Sequence, residues 1–403
     1  MRISSNTIYE TGTNLMLQQQ DTLIKTQQQL STGRRILTPA DDPIAAAQAL
    51  SISQSISLNK QYSINRTTAE SSLKLEENIL RKVTSLLQDV HESAIRAGTA
   101  SFTDADRIIV AKEVRSQLES LVGLANTTDE KGQFLFSGYQ ANTKPFSQIG
   151  LNVQYLGDQG QRLSQVGPSR QLAVSDPGTN IFERIKNGNG VFTTAAHSPN
   201  QGTGVIDTGS VVNPASLTGN SYEINFSVTG GITTYNVINT TTSTTVSSGN
   251  SYNNSTSTIN FDGMQFSIKG DPVNGDKFTV SPSNNKSMFQ TISDLVVALE
   301  KPASGQPGGT RFANALSSSL QNINNSLENV LTKQSSIGAR LQEIDALESV
   351  GGDQEIQFES LLSNLQDVDF AKAISDLQRQ QLYLQAAQQS YVKISGLSLF
   401  NYI

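Results

Sequence analysis

The sequence contains no cysteine and no tryptophan, only two histidines, and 16% charged residues across 403 positions. Without cysteine there is no disulfide, no thiolate metal site and no Cys nucleophile, and the redox compartment stays open. His91 and His197 are the whole imidazole supply, so the H-E-x-x-H zinc arrangement cannot be built within one chain. A Ser-His-Asp triad would have to recruit one of them, with no G-x-S-x-G elbow to present the serine. His91 lies off an apolar stripe beside Val90 and Glu92, and His197 precedes Ser198-Pro199, so both read as solvated surface residues. The charged fraction falls well under the roughly 25% usual for globular domains, so Ser, Thr, Asn and Gln must supply the polar surface. A net charge of -6 without clustered cations makes nucleic acid an unexpected partner. Apolar runs such as Leu295 to Leu299 are far too short to cross a bilayer, so no membrane insertion is expected. Met1 to Glu10 carry Arg2 but no apolar h-region, so no cleavable secretory signal is expected.

What is present is long-range periodicity. Apolar spacing predicts helix over residues 1 to about 127, strands and turns over 134 to 285, and helix again over 286 to 403. The first helix carries Met16, Leu23, Leu30 and Leu37 at seven-residue intervals, with Gly33 as a C-terminal stop, but Thr26, Gln19, Gln20 and Gln27 dilute the stripe. Asp41-Asp42-Pro43 opens the next helix as an acidic cap followed by an N1 proline, a better account of the acid pair than a catalytic dyad. Leu73, Leu80, Leu87 and Ala94, interleaved with Val83, Val90 and Ala97, give it a left-handed bundle repeat. A third helix starts at a capping box formed by Thr103 and Asp106. Beyond the strands, Leu316, Leu320, Ile323, Leu327, Val330, Ile337, Leu341 and Ile344 form the strongest heptad run, with Gln334 and Glu348 as polar exceptions. The last helix, expected to be about 40 residues and roughly 60 Å long, sets Phe370, Leu377, Leu384 and Tyr391 seven apart, beside Ile374, Ala387 and Ile394, among Gln380, Gln381 and Gln388.

In the middle, Tyr222, Ile224, Phe226 and Val228 alternate up to Gly230-Gly231, and Met264, Phe266 and Ile268 follow Asp262-Gly263, as antiparallel hairpins do. Leu151, Val153 and Tyr155 before Gly157 to Gly160 repeat the pattern, and Thr240 to Asn254 reads as a solvated loop or an exposed edge. Gly270 to Lys277 resembles a phosphate loop only superficially: Asp276 stands before the lysine and would repel phosphate, so a turn between strands is expected. No carboxylate pair is singled out for glycoside chemistry, and neither enzyme activity nor a cofactor or metal is expected.

The opening Met1-Arg2-Ile3-Ser4, the segment Leu30-Ser31-Thr32-Gly33-Arg34-Arg35-Ile36 with Pro39, Asp41, Asp42 and Pro43, and Gly132 to Gly138 with Thr143, Pro145 and Phe146 together resemble the flagellin superfamily. Phe134-Leu135-Phe136-Ser137-Gly138 and the ending Leu397 to Ile403 are nearer to its hook–filament junction branch than to filament flagellin. The resemblance covers residues 1 to 146 and 289 to 403 and implies an α+β multidomain chain. In it, both chain ends form a long-helix coiled-coil bundle with an inserted antiparallel β-rich region. Residues 1–44 with 355–403 would be terminal helices of an inner tube, 45–146 with 286–354 a surrounding bundle, and 147–285 an outward β insert, with a break near 190. The resemblance also implies an extracellular axial subunit of the flagellum, exported without a cleaved signal through a type III apparatus. Its implied partners are further copies in a helical layer, the first hook-associated protein, flagellin, and a cytoplasmic export chaperone on the C-terminal helix.

Positions assigned to inner-tube packing are Leu15, Leu23, Leu30, Leu377, Leu384 and Tyr391, and positions assigned to the bundle are Leu80, Leu87, Leu118, Leu327 and Leu341. Each could equally be a core residue of a plain monomer. A rival class is a secreted module whose β insert binds glycan or host surface through aromatics such as Tyr235 and Tyr252. The half-polar stripes at both ends should leave those helices marginal in isolation. Limited proteolysis of the monomer should therefore trim both ends early and spare a portion from roughly residue 45 to 350, whereas ends as resistant as the bundle would contradict the reading.

Overall fold

A computed structural model of the chain describes residues 5–254 and 258–396, with the side chains of 5, 6, 8 and 394–396 outside the description. The Met1-Arg2-Ile3-Ser4 start, the Leu397 to Ile403 ending and the side chain of Ile394 therefore lie outside the described residues. Among the described residues there are six α-helices: α1 (Ser5–Thr32), α2 (Pro43–Ala97) and α3 (Asp104–Ala125) before the strands, and α4 (Met288–Glu300), α5 (Gln306–Gln366) and α6 (Phe370–Gly396) after them. Among the described residues no helix is long and apolar enough to cross a membrane. Two compact units result, one from residues 1–65 with 346–403 and one from 66–345, and α2 and α5 contribute to both.

The helices start where the sequence signals them. Asp42 Oδ1 accepts the Ala45 N–H at 3.0 Å with Pro43 at the first helical position, and Thr103 and Asp106 close a reciprocal capping box on α3. The expected last helix of about 40 residues is instead two: α5 ends at Gln366 and α6 restarts at Phe370, where Asp369 Oδ1 accepts the Lys372 N–H at 3.1 Å. The physical reason is that short acid, which caps a new N-terminus better than it continues an old helix.

In the unit of residues 66–345, a bundle core is built from Leu73, Leu80, Val83 and Leu87 of α2, Val114, Leu118 and Leu121 of α3, Ile292, Leu295 and Val296 of α4, and Ile323, Val330, Ile337 and Ile344 of α5, all buried. The polar heptad exception Gln334 donates to Thr84 Oγ1 at 3.2 Å, which satisfies it inside the seam. Gly98 lets Leu316 approach, since a β-carbon there would stand 2.6 Å from Leu316 Cδ2.

Short strands open the middle region: β1 (Phe146–Ile149) with β2 (Asn152–Tyr155), and β3 (Leu163–Gly167) with β4 (Arg170–Ala173). The expected hairpin of Leu151 to Tyr155 turns at Gly150 rather than at Gly157 to Gly160, because β2 pairs backwards with Phe146 to Ile149. Gly157 to Gly160 instead wraps a carboxylate: Asp158 accepts the N–H groups of Tyr139 (2.9 Å), Gln140 (3.1 Å) and Gly160 (2.7 Å), which hold its pKa below the usual carboxylate range. Gly138 must be glycine, having φ +74° and only 2.1 Å between a hypothetical β-carbon and Asp158 Oδ1. The Phe-Leu-Phe-Ser-Gly segment is thus a packing joint, with Phe136 edge-on to Phe182, and Phe182, Phe146 and Phe289 in mutual ring contact.

The remaining strands are β5 (Ile185–Lys186), β6 (Phe192–Ala196), β7 (Val205–Ile206), β8 (Ser210–Val211), β9 (Tyr222–Thr229), β10 (Ile232–Asn239), β11 (Thr244–Ser251), β12 (Thr258–Phe261), β13 (Met264–Lys269), β14 (Lys277–Pro282) and β15 (Asn285–Lys286). A five-stranded antiparallel sheet runs β11-β10-β9-β14-β6, and β12-β13-β7 pack with it around Tyr222, Ile224, Phe226, Phe266, Ile268 and Phe278. The Ser/Thr/Asn tract becomes the exposed edge strand β11, while Gly270 to Lys277 forms the expected turn between β13 and β14. Asp276 is buried in that turn and accepts N–H groups of Gln201 (2.9 Å), Gly202 (3.0 Å) and Val273 (3.0 Å), a structural pin rather than a phosphate cradle.

One buried acid stands out. Glu76 on α2 is 2% exposed, and one of its carboxyl oxygens has no hydrogen-bond partner. Burial, and secondarily the Asp176 carboxylate, push its pKa up to about 8 against the pull of Arg340 and Arg162. Arg340 is committed to Asp176 at 2.8 Å. Because the folded pKa lies above the unfolded one, stability is full below about pH 4.5 and declines as pH rises toward 8. Glu76→Gln should raise the melting temperature by about 3 °C or more at pH 8.5 and do little at pH 5, measured by thermal unfolding across that range.

Candidate functional site

The unit formed by residues 1–65 and 346–403 buries almost nothing large. Its buried described residues are Thr26, Ala45, Ala49, Asn59, Gly351 and Ala373, so no large apolar side chain is fully covered among the described residues. Exposed apolar groups run along it: Leu17 at 55% and Ile24 on α1, Leu50 and Ile64 on α2, Ile356 on α5, and Ile374 and Leu382 at 62% on α6. The cause is geometric, since two paired helices can cover only the strip where they touch while apolar residues here occupy a wider arc.

Each pair is drawn close by small or polar residues. Tyr391 of α6 lies over Gly12 of α1, where a β-carbon would come within 3.0 Å of the ring, and meets Tyr9 edge-on at 6.2 Å. Asn59 donates to the Gly351 carbonyl at 2.7 Å, and Ser63 to Glu348 at 2.8 Å, which gives the second polar heptad exception its partner. The assigned inner-tube positions divide: Leu15 is exposed, whereas Leu23, Leu30, Leu377, Leu384 and Tyr391 are half-buried. Among the bundle positions Leu80, Leu87 and Leu118 are buried, and Leu327 and Leu341 are half-buried. Gly12 and Asn59 were not singled out from sequence, although a glycine inside an apolar helical repeat is itself a signal of close approach.

The segment Gly33 to Pro43 is a joint. Gly33 takes φ +71° after α1, and its carbonyl accepts the Val368 N–H at 2.9 Å, while Arg35 N–H donates to the Gln366 carbonyl at 2.6 Å. The Arg35 guanidinium donates to the Leu365 carbonyl at 2.8 Å, placing a cation on the C-terminal turn of α5, where orphan carbonyls concentrate negative charge. Asp41 accepts the N–H groups of Leu37 (3.0 Å) and Thr38 (2.9 Å) and pairs with Lys25 at 2.6 Å. The Lys25 contact first, then the Thr38 N–H, holds its pKa down at about 2. Asp42 is lowered too, chiefly by the Ala45 N–H and then by Arg35. The acid pair is therefore a cap and a loop clamp.

His197 is exposed, as a surface reading requires, whereas His91 is half-buried. Tyr235 and Tyr252 do not suit the rival glycan-binding reading: both are partly buried against Phe226, and the Tyr252 hydroxyl donates to the Ile268 and Gly270 carbonyls at 2.7 Å. They complete the β core instead of offering rings to a sugar, because period-two alternation alone does not say how thick the packing over a sheet is.

The lowered Asp41 pKa means that its clamp is intact above about pH 4 and is lost as pH falls toward 2. Protection of the Leu37 and Thr38 amides against exchange should drop over that window. In Asp41→Asn the drop should vanish, because no carboxylate remains to titrate.

The bacterial flagellin N-terminal helical region model matches residues 3–141. The chain is 27% identical over 401 residues to flagellar hook-associated protein 3 of Escherichia coli (strain K12), covering 99% of both. The crystal structure of flagellar hook-associated protein 3 from Legionella pneumophila superimposes with a TM-score of 0.75 at 33% identity, covering 78% of this chain and 98% of that one. A second crystal structure, of the flagellar junction protein FlgL from Legionella pneumophila, gives a TM-score of 0.72 at 33% identity, covering 79% of this chain and all of that one. At 33% identity to two solved structures whose length this chain spans almost entirely, the chain belongs to the flagellar hook-associated protein 3 (FlgL) family.

Proposed function

We propose that the chain is a structural axial subunit of the bacterial flagellum, joining the first hook-associated protein to the flagellin filament. The observation that carries this reading is the unit of residues 1–65 and 346–403, whose described large apolar side chains are half-covered or exposed. Burying one such leucine against a neighbour contributes about 1.5–3 kcal/mol, so repeated contacts along the helices would hold a layer together without any single strong bond. With few charges on α1 and α6 and many Gln side chains, those contacts would depend only weakly on salt.

In this reading residues 1–44 with 355–403 supply the inner tube, 45–146 with 286–354 the surrounding bundle, and 147–285 the outward insert. Leu15, Leu23, Leu30, Leu377, Leu384 and Tyr391 complete their packing on further copies, while Leu80, Leu87, Leu118, Leu327 and Leu341 serve the bundle. Export proceeds unfolded and without a cleaved signal, with a cytoplasmic chaperone covering the C-terminal helix until assembly. The role is mechanical, not catalytic, which accords with relatives that are structural parts of the flagellum.

The test uses exposed positions, where substitution leaves the monomer intact. Leu17→Ser with Leu382→Ser should change monomer stability by no more than about 0.5 kcal/mol per site yet abolish filament attachment in a strain lacking the parent gene. Filaments that stay attached when the gene is deleted would end the adaptor reading.

A further inference from the structure

A cleft of about 780 Å³ lies within the unit of residues 66–345, bounded by β6, the end of α4 and the first turns of α5. Six consecutive residues, 193–198, line it. Successive side chains of a strand point to opposite faces, so a cavity touched by each residue in turn meets the strand's edge, not a face. The hydrogen-bond pattern agrees. His197 N–H donates to the Lys277 carbonyl at 3.0 Å and Ser283 N–H to the Val191 carbonyl at 2.9 Å, so the odd positions face β14. Phe192, Thr194 and Ala196 then turn their backbone groups away from the sheet. Asn189 takes both groups of Phe192, at 2.9 and 3.1 Å. Thr194 and Ala196 have no backbone partner on that side among the described residues.

Unpaired edges of this kind are ordinarily blunted by a bulge, a lysine or a proline. The opposite edge, β11, is blunted: its register against β10 shifts twice, and Gly249 interrupts it at φ +66°. Phe192–Ala196 carries no such device. Across the cleft stand Lys301 and Arg311, both exposed and without an ion-pair partner among the described residues. The carboxylate in the lining, Asp294, is neutralised by Lys286 at 2.6 Å. The first turn of α5 contains no acid.

We infer that this cleft is a docking groove for an extended acidic peptide segment of a partner protein, which adds to β6 as a further strand. Its backbone pairs with Thr194 and Ala196, and its carboxylates face Lys301 and Arg311. A small anion would leave the strand's N–H and C=O groups unmet, whereas an extended backbone satisfies them and its side-chain charge then selects the sequence. The inference is independent of the assembly reading, since it uses no residue of the terminal helices.

The experiment uses the full chain and a fluorescein-labelled hexapeptide alternating valine and glutamate, followed by anisotropy and amide exchange. Saturable binding is expected, with new exchange protection at Thr194 and Ala196. Affinity should fall about tenfold in Lys301→Glu with Arg311→Glu, and about tenfold when the peptide's alternate backbone nitrogens are methylated. Methylation tests the backbone pairing without touching the protein, and a thermal melt checks that the double variant is folded. Equal binding by the methylated peptide, equal binding by a sulfated oligosaccharide, or no protection at those two amides would overturn the inference.

Discussion

Everything in this molecule follows from a mismatch between helix length and the surface that a helix pair can cover. The helices α1 and α6 are 28 and 27 residues long, roughly 40 Å each, and they carry apolar groups around more of their circumference than one partner can bury. Where more layers are available, in the unit of residues 66–345, the same heptad logic buries Leu80, Leu87, Leu118 and Ile337. Where they are not, only alanine, glycine, threonine and asparagine among the described residues disappear from solvent. The difference lies in the number of neighbours, because both units obey one periodicity.

The segments that mark the family are joints around this scheme. Gly33 to Pro43 turns α1 into α2 while its backbone and the Arg35 guanidinium occupy carbonyls at the end of α5, so the two chain ends are held to one another. Gly138 and Asp158 likewise bind the loop after α3 to the first hairpin, beneath the cluster of Phe136, Phe146, Phe182 and Phe289. Both joints contain a glycine at positive φ and a carboxylate that accepts backbone N–H groups, and at Gly138 the two are in direct contact. Such a pairing fixes a chain path with few side-chain contacts and suits a subunit whose ends must be presented in a set register.

The β insert solves a different problem. Its sheet closes against β12-β13-β7 but leaves two edges, one irregular and one straight, and the straight edge opens onto a cleft between helices instead of onto bulk water. Tyr235 and Tyr252, conspicuous in the sequence, are spent on its core. A recognition role for the insert therefore rests on backbone geometry and two cations.

How much of this was legible beforehand depends on the distance along the chain over which each interaction acts. The capping box of Thr103 and Asp106, the Asp42-Pro43 start, the alternation in β9 and the heptads of α5 involve residues a few positions apart, and sequence by itself determined them, as it determined the family through its short motifs. The partner of β2, the burial of Glu76 beside Asp176 and the unpaired edge of β6 were decided only by tertiary structure. In each of those, groups far apart in sequence are brought within a few ångströms, and the local rules of helix and strand assign a residue its face without saying what will stand opposite it.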